Sequence, residues 1–108
     1  MKRIKEIDGG CLKGYFKIAP SRLVEKFGEP EEVDEYKVSG QITLKTRSGI
    51  KFYLYDWKCT SLYDYDYQSP QQLWSSNKEF NFHIGGNFDS SKLIEVESEL
   101  SEVFNERN

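Results

Sequence analysis

Few residues in this chain have side chains suited to acid, base or nucleophilic chemistry. His83 is the single histidine, and an imidazole can act as an acid, a base or a metal ligand near neutral pH. Asp56 or a tyrosine would be its partner in an acid/base pair. No serine, cysteine or aspartate stands at a spacing that marks a catalytic triad. We therefore expect His83 to be structural and the protein not to be an enzyme, with acid/base catalysis as the alternative.

The sequence predicts no metal site and no cofactor. Cys11 and Cys59 are the only cysteines, and they lack metal-ligand spacing, so reduced cytosolic thiols are expected. Gly85-Gly86 resembles half of a phosphate-binding loop, but the Lys-Ser/Thr signature of such loops is missing. The glycine pair instead predicts a turn before a helix.

A predicted β-hairpin between Tyr36 and Lys58 offers a more informative surface. Ser48-Gly49 predicts its turn, and apolar side chains occupy the even positions on both sides, as in half-buried strands. The odd positions carry polar and aromatic side chains that can stack and hydrogen-bond, which suits a base-like ligand or a protein hot spot. The alternative is that another segment covers these rings as a second small core. The predicted partner-binding residues of this face are Lys37, Gln41, Thr43, Tyr53, Tyr55 and Trp57, with Asn81 and His83 added if the strand at 79–84 lies alongside.

A second candidate surface alternates tyrosine with aspartate between Tyr63 and Tyr67. Carboxylates can take the place of phosphates in a basic groove of a partner, and tyrosines supply contact area at low entropy cost. The alternative is a solvated loop whose charges prevent pairing with other strand edges. The predicted binding residues of this loop are Tyr63, Asp64, Tyr65 and Asp66.

The elements that position these residues follow the order strand, helix, strand, strand, strand, helix. Strands are predicted over 11–18, 36–46, 50–58 and 79–84; one helix begins at Pro20-Ser21 and ends at Gly28, and the last begins at Asp89 or Ser90. Gly14 suggests a bulge. Together they predict one α+β domain over 1–108, with an antiparallel sheet of about four strands, helices on one face, and a long loop over 59–78. The predicted core residues of the hairpin are Val38, Ile42, Leu44, Ile50, Phe52 and Leu54.

Composition and charge narrow the partner classes. The 15 basic and 18 acidic residues give a net charge of −3, so generic nucleic-acid binding is not predicted. A local basic patch around Lys37, Lys45, Arg47 and Lys51 is the alternative that the charge balance leaves open. No apolar run reaches membrane-spanning length and no hydrophobic leader follows Met1, so we expect a soluble cytoplasmic protein without membrane contact. The sequence leaves the oligomeric state open.

Five short segments in one order carry a resemblance to a known family. They are Leu12-Lys-Gly-Tyr-Phe, Leu23-Val-Glu-Lys-Phe-Gly-Glu-Pro30, Tyr36-Lys-Val-Ser followed by Ser48-Gly, Tyr55-Asp-Trp-Lys58, and His83-Ile-Gly-Gly86. The chain resembles a family of small, mostly uncharacterised proteins of bacteriophages and large DNA viruses over residues 12–86. It departs from that pattern at Ser48, where Asp is usual, and at Phe82, where Trp is usual.

The resemblance implies a viral accessory protein acting in the host cytoplasm, and it implies no particular biochemical activity. Small viral accessory domains often work by binding a host factor. The leading hypothesis is therefore a non-enzymatic protein that antagonises host defence, as anti-CRISPR proteins do, by stoichiometric binding of a host protein or ribonucleoprotein. The alternatives are a sponge that sequesters a nucleotide signal, with Lys37, Arg47 and Lys51 at its phosphates, and a structural or assembly protein of the virion.

Overall fold

The fold is an antiparallel sheet covered on one face by helices. The computed structural model describes residues 1–5, 7, 9–33, 38–57, 64 and 67–105. In spatial order the strands run β1-β4-β5-β6-β2, and β3 also pairs with β4. The strands described are β1 (Lys2–Arg3), β2 (Cys11–Ile18), β3 (Glu31–Glu32), β4 (Gly40–Lys45), β5 (Lys51–Tyr55) and β6 (Phe80–Gly86); the helices are α1 (Pro20–Phe27), α2 (Pro70–Trp74) and α3 (Leu93–Phe104).

The predicted hairpin forms in the predicted register. Ile42 pairs with Leu54 and Leu44 with Phe52, while Gln41 pairs with Tyr55 and Thr43 with Tyr53. Because paired residues in an antiparallel sheet project to the same side, the aliphatic set and the aromatic set lie on opposite faces. β6 lies beside β5 as expected, with Leu54 opposite Ile84 and Tyr55 opposite His83.

The helices bury the aliphatic face of the sheet. Leu23 of α1, Leu73 of α2 and Leu100 of α3 are at most 1% exposed and join the same cluster as the sheet residues. This confirms the predicted α+β class with helices on one face, which we call the core face. None of the helices that the structure describes combines the length and apolarity needed to cross a membrane. The fully buried sheet residues of the cluster are Ile42, Leu44, Phe52, Leu54, Phe82 and Ile84.

The predicted loop at 59–78 contains a helix that our sequence analysis did not predict. Ser69 Oγ accepts a hydrogen bond from the Gln72 N–H at 3.1 Å, and Gln72 Oε1 accepts one from the Ser69 N–H at 2.8 Å. With Pro70 in the first turn, this capping box satisfies two amides at the start of α2. Leu73 and Trp74 are buried in the core, so residues 69–74 are part of the folded domain.

Val38 departs from its predicted place on the core face. It is buried, but it lies outside the main cluster and lines a cleft that also contains Gln41. The two-residue alternation does not reach Val38 because β4 begins at Gly40. Gly40 is packed against the Trp74 indole so closely that a Cβ there would lie 2.8 Å from Nε1.

The bulge suggested at Gly14 is confirmed. The register between β2 and β6 shifts between Leu12 and Gly14, and a Cβ on Gly14 would lie 2.9 Å from Leu93 Cδ2 of α3. The extra residue in β2 returns Tyr15 to the face opposite the helices, where it pairs with His83.

A buried carboxylate joins the end of β5 to α2 and to the start of β4. Asp56 is 0% exposed; it accepts hydrogen bonds from the Ser39 N–H and Ser39 Oγ, both at 2.6 Å, and from Trp74 Nε1 at 2.8 Å. Burial raises the pKa of Asp56, and the three hydrogen bonds act in the opposite direction. These contacts fix the chain on either side of Asp56, including Tyr55 and Trp57.

Trp74→Phe tests this junction by removing one donor from a buried carboxylate. We expect the free energy of unfolding to fall by about 1–3 kcal/mol, because a buried acceptor loses its partner, as measured by urea denaturation followed by circular dichroism. Trp57→Phe is the matched control, since Trp57 is 37% exposed and should change stability much less. Equal losses in the two variants would contradict the structural role of the Asp56 contacts.

Candidate functional site

Five rings from three strands form a continuous cluster on the face opposite the helices, which we call the reverse face. Tyr15 and Tyr55 contact the His83 ring edge-on, with centroids 4.9 Å and 5.3 Å away, and Trp57 stacks on it at 6.2 Å. The Tyr53 ring lies beside the Tyr55 ring, with the two centroids 5.4 Å apart. We call this set of Tyr15, Tyr53, Tyr55, Trp57 and His83 the aromatic cluster. Its position confirms that the predicted rings point away from the core.

The aromatic cluster contains one residue that our sequence analysis left out of the site. Tyr15 is 49% exposed and contacts His83 across the β2–β6 pair. The alternation in 11–18 places Tyr15 and Lys17 opposite Phe16 and Ile18, but this signal could only be used once β2 was known to pair with β6.

The N-terminal chain crosses part of the reverse face. Ile4 N–H donates to the Thr43 carbonyl at 3.0 Å, and Tyr53 Oη donates to the Gly9 carbonyl at 3.1 Å. Gly10, at φ 103°, then packs so closely on Gly86 that a Cβ would lie 2.8 Å from its carbonyl carbon. Ile4, Gly9 and Gly10 therefore lie in turn at the edge of β4, at the Tyr53 side chain of β5 and beside β6, and we call the described residues 4, 5, 7, 9 and 10 the crossing segment.

The crossing segment changes what Thr43 and Gln41 can offer a partner. Thr43 is 0% exposed and donates its hydroxyl to Glu31 Oε1 at 3.4 Å, while Gln41 is 8% exposed. Thr43 was predicted to bind a partner directly, but its burial leaves it no accessible surface. Gln41 remains at the border of the open part of the face.

An open cleft of about 280 Å³ remains between the crossing segment and the chain that precedes β4. Tyr53, Tyr55 and Gln41 form its floor, and Trp57 borders it. The sequence left open that another segment covers the rings of this face. In the structure Thr43 is covered, whereas Tyr53, Tyr55 and Trp57 line the open cleft. The remaining lining residues are Ile7, Gly9, Gly10, Cys11, Val33 and Val38.

Burial favours the neutral forms of Tyr53, Tyr55 and His83. It raises the pKa of Tyr53 and raises the pKa of Tyr55 to about 12, and the Tyr53 and Tyr15 phenols add to the second effect. At neutral pH both phenols thus keep the proton they can donate. Burial also lowers the pKa of His83 below its ordinary 6.5, so the imidazole is uncharged at pH 7.

The structure does not assemble the acid/base pair that sequence analysis considered for His83. Asp56 has both carboxylate oxygens engaged by Ser39 and Trp74, and Trp74 belongs to the core face. The contacts of His83 within the described part of the chain are aromatic rings. A group of three potential metal ligands is likewise not found among the described residues.

Several predicted binding residues lie outside the described residues: Lys37, Tyr63, Tyr65 and Asp66. Asp64 is described and half-buried, and its carbonyl accepts the Tyr67 N–H at 2.9 Å. The acidic loop thus stays a prediction. Asn81 is exposed on β6, on the same face as His83.

The predicted basic patch is divided by the structure. Arg47 faces α3, where its guanidinium lies 3.1 Å from a Glu102 oxygen and 3.6 Å from a Glu99 oxygen. Lys45 and Lys51 pair with each other on the reverse face. Arg47 is therefore not available to the aromatic cluster as a phosphate ligand.

No protein-family model matches this chain, and no curated protein matches it significantly.

The His83 imidazole should titrate below its ordinary value, and NMR of its ring protons will measure this. Because the folded pKa is depressed, the unfolded chain binds more protons between the two pKa values. Stability contributed by His83 is therefore present above pH 6.5 and is lost as the pH falls through the folded pKa.

Tyr15→Ala supplies the control for the His83 titration. Removing a ring 4.9 Å away admits water to His83, and its titration midpoint should move back toward 6.5. A midpoint at or above 6.5 in the unaltered protein would show that the rings stabilise the imidazolium instead of excluding water.

Proposed function

We propose that this protein is a non-catalytic binding module that captures a partner protein on the aromatic cleft. The observation that carries the proposal is a cleft floored by tyrosines and bordered by Trp57, on the sheet face that the helices leave uncovered. Trp57 and Tyr15 are 37% and 49% exposed. Tyrosine and tryptophan supply large contact areas with few rotatable bonds, and they dominate protein hot spots.

The chemistry of the cleft favours a side chain of a protein over the phosphates of a nucleotide. Among the described residues that line it, none is Lys or Arg. The aromatic faces instead suit an apolar or cationic group, since ring quadrupoles attract cations. This observation favours protein capture over the nucleotide sponge at this site.

The chain that borders the cleft is acidic in sequence, which adds charge complementarity to a basic partner. Segments 5–10 and 31–38 supply lining residues Ile7, Val33 and Val38. Charges near a surface act over a Debye length of about 8 Å. We therefore propose that the partner presents Arg or Lys together with apolar groups. The charged residues of the two segments are Glu6, Asp8, Glu31, Glu32, Asp34 and Glu35 against Lys5 and Lys37, and Lys58 follows Trp57.

The most concrete form of the proposal is a viral accessory protein that antagonises a host defence factor by occupying it. It rests on the family resemblance, and three of the segments that carry the resemblance meet at the cluster. Tyr15, Tyr55 with Trp57, and His83 come from these three segments and contact one another ring to ring. A virion assembly role would instead use the edges of the sheet.

The test is capture from host-cell lysate with the unaltered protein and with Tyr55→Ala/Trp57→Ala. We expect a captured protein to be lost with the double variant, because the variant removes the floor and border of the cleft. Ile94→Ala is the matched control, since Ile94 is 72% exposed on α3 and should leave capture unchanged. Calorimetry with the purified partner should then give a fixed stoichiometry.

A chemical footprint separates cleft binding from indirect loss. Cys11 is exposed and lines the cleft, so in a Cys59→Ser background its labelling by a maleimide should slow when the partner is bound. Two results together would overturn the proposal. The folded Tyr55→Ala/Trp57→Ala variant would still capture the partner, and the maleimide would label Cys11 as fast with the partner bound as without it. Turnover of the captured protein into a chemically altered product would overturn the non-catalytic assignment.

A further inference from the structure

Three lysines stand in one row across neighbouring strands, at the opposite end of the reverse face from the cleft. Lys2 of β1 pairs with Lys45 of β4, and Lys45 pairs with Lys51 of β5. Residues opposite each other in an antiparallel pair have Cα atoms about 4.5–5.5 Å apart and project to the same side. The Cα atoms of these three lysines, which we call the lysine row, therefore span about 10 Å across the sheet, and the side chains project to one face.

The lysine row has no carboxylate partner among the residues that the structure describes. Within the described residues, the ion pairs connect Glu99 and Glu102 of α3 with the Met1 amine and Arg47, and none involves Lys2, Lys45 or Lys51. Glu99 is almost fully buried, and it also accepts the Arg47 N–H at 3.0 Å. The acids of α3 are thus engaged at the core face and at the β4–β5 turn.

Protection of a sheet edge does not explain this arrangement. Edge strands often carry lysine because its charge prevents pairing with another chain, and this accounts for Lys2 on β1. Lys45 and Lys51 lie on β4 and β5, which both have neighbours on each side. Like charges placed directly opposite each other repel and destabilise the strand pair. An anion bound between them would offset that repulsion.

A cavity lies beside the row. It has a volume of about 300 Å³ and is lined by Lys2, Lys45, Thr46 and Arg47 together with Met1. The Thr46 backbone N–H already donates to the Ile50 carbonyl, and the Thr46 hydroxyl is hydrogen-bonded to Ser48. The groups of the cavity that can attract an anion are therefore its cationic side chains. The Arg47–Glu102 pair is exposed on both sides, and such surface pairs contribute little. Arg47 Nε also lies 3.6 Å from an oxygen of the almost fully buried Glu99, so the lysines, and not Arg47, are the cations that an anion would meet first.

We propose that the lysine row and this cavity bind a ligand that carries a chain of two or three phosphate groups. Three lysines on neighbouring strands, with Cα atoms about 5 Å apart, can each meet one phosphate of a chain, so they suit several anionic groups in succession better than one isolated anion. The cleft and the cavity beside the row have no described lining residue in common. The phosphate site is therefore separate from the proposed protein-binding cleft and does not depend on it.

Isothermal titration with tripolyphosphate, pyrophosphate and orthophosphate at low ionic strength tests the proposal. We expect one tripolyphosphate per chain and at least tenfold weaker binding of orthophosphate, with affinity falling as salt is added. Lys45→Gln and Lys51→Gln should each weaken tripolyphosphate about tenfold. Lys78→Gln is the matched control, because Lys78 is exposed outside the row and its loss should leave affinity unchanged.

Lys51→Glu adds a second readout that a loss of folding cannot imitate. It replaces a repulsive cross-strand pair with an attractive one, so the melting temperature should rise while tripolyphosphate binding disappears. The proposal would be overturned if tripolyphosphate did not bind at millimolar concentration. It would also be overturned if Lys78→Gln weakened tripolyphosphate binding as much as Lys45→Gln and Lys51→Gln do.

Two further ligands identify the source of the phosphates. A nucleoside triphosphate that binds like tripolyphosphate, with the same dependence on Lys45, supports the site as a phosphate-chain receptor. A single-stranded oligonucleotide that binds while tripolyphosphate does not would overturn it in favour of a nucleic-acid track.

Discussion

The register of β5 between β4 and β6 is the constraint on which both faces of this protein depend. Because side chains alternate along a strand, a slip by one residue would exchange the two faces completely. In the observed register Phe52 and Leu54 enter a core closed by three helices, and Tyr53 and Tyr55 join the aromatic cluster. The free energy of burying the aliphatic side chains thus also positions the rings that we propose to bind the partner.

Asp56 connects this constraint to the rest of the chain. It lies between Tyr55 and Trp57 in sequence, and its three hydrogen bonds hold Ser39 and Trp74. A buried carboxylate is costly unless it is fully hydrogen-bonded, so this arrangement forms only when β4, β5 and α2 are all in place. The orientation of Trp57 at the end of the strand therefore follows from contacts made on the opposite face.

Most local signals in the sequence predicted their elements correctly, and contacts between distant segments were missed. One local prediction was wrong, because Gly85-Gly86 was expected to form a turn and instead ends β6, paired with β2 and β5. The alternation in the hairpin, the turn at Gly49 and the helix start at Asp89 or Ser90 are each local signals, and each predicted its element correctly. The pairing of Tyr15 with His83 joins residues that are far apart in sequence, so Tyr15 was missed. The crossing segment was missed for the same reason, although a local signal, the capping box at Ser69, could have revealed α2.

Net charge gives little guidance on partners when the proposed binding sites lie at different ends of one sheet face. Gln41 at the cleft and Lys45 in the lysine row are four residues apart on β4, which corresponds to about 13 Å. This exceeds the Debye length of about 8 Å at physiological salt, so each end acts on its surroundings almost independently. We therefore propose that a chain with a net charge of −3 binds a basic partner at the aromatic cleft and an anionic ligand at the lysine row, without competition between the two.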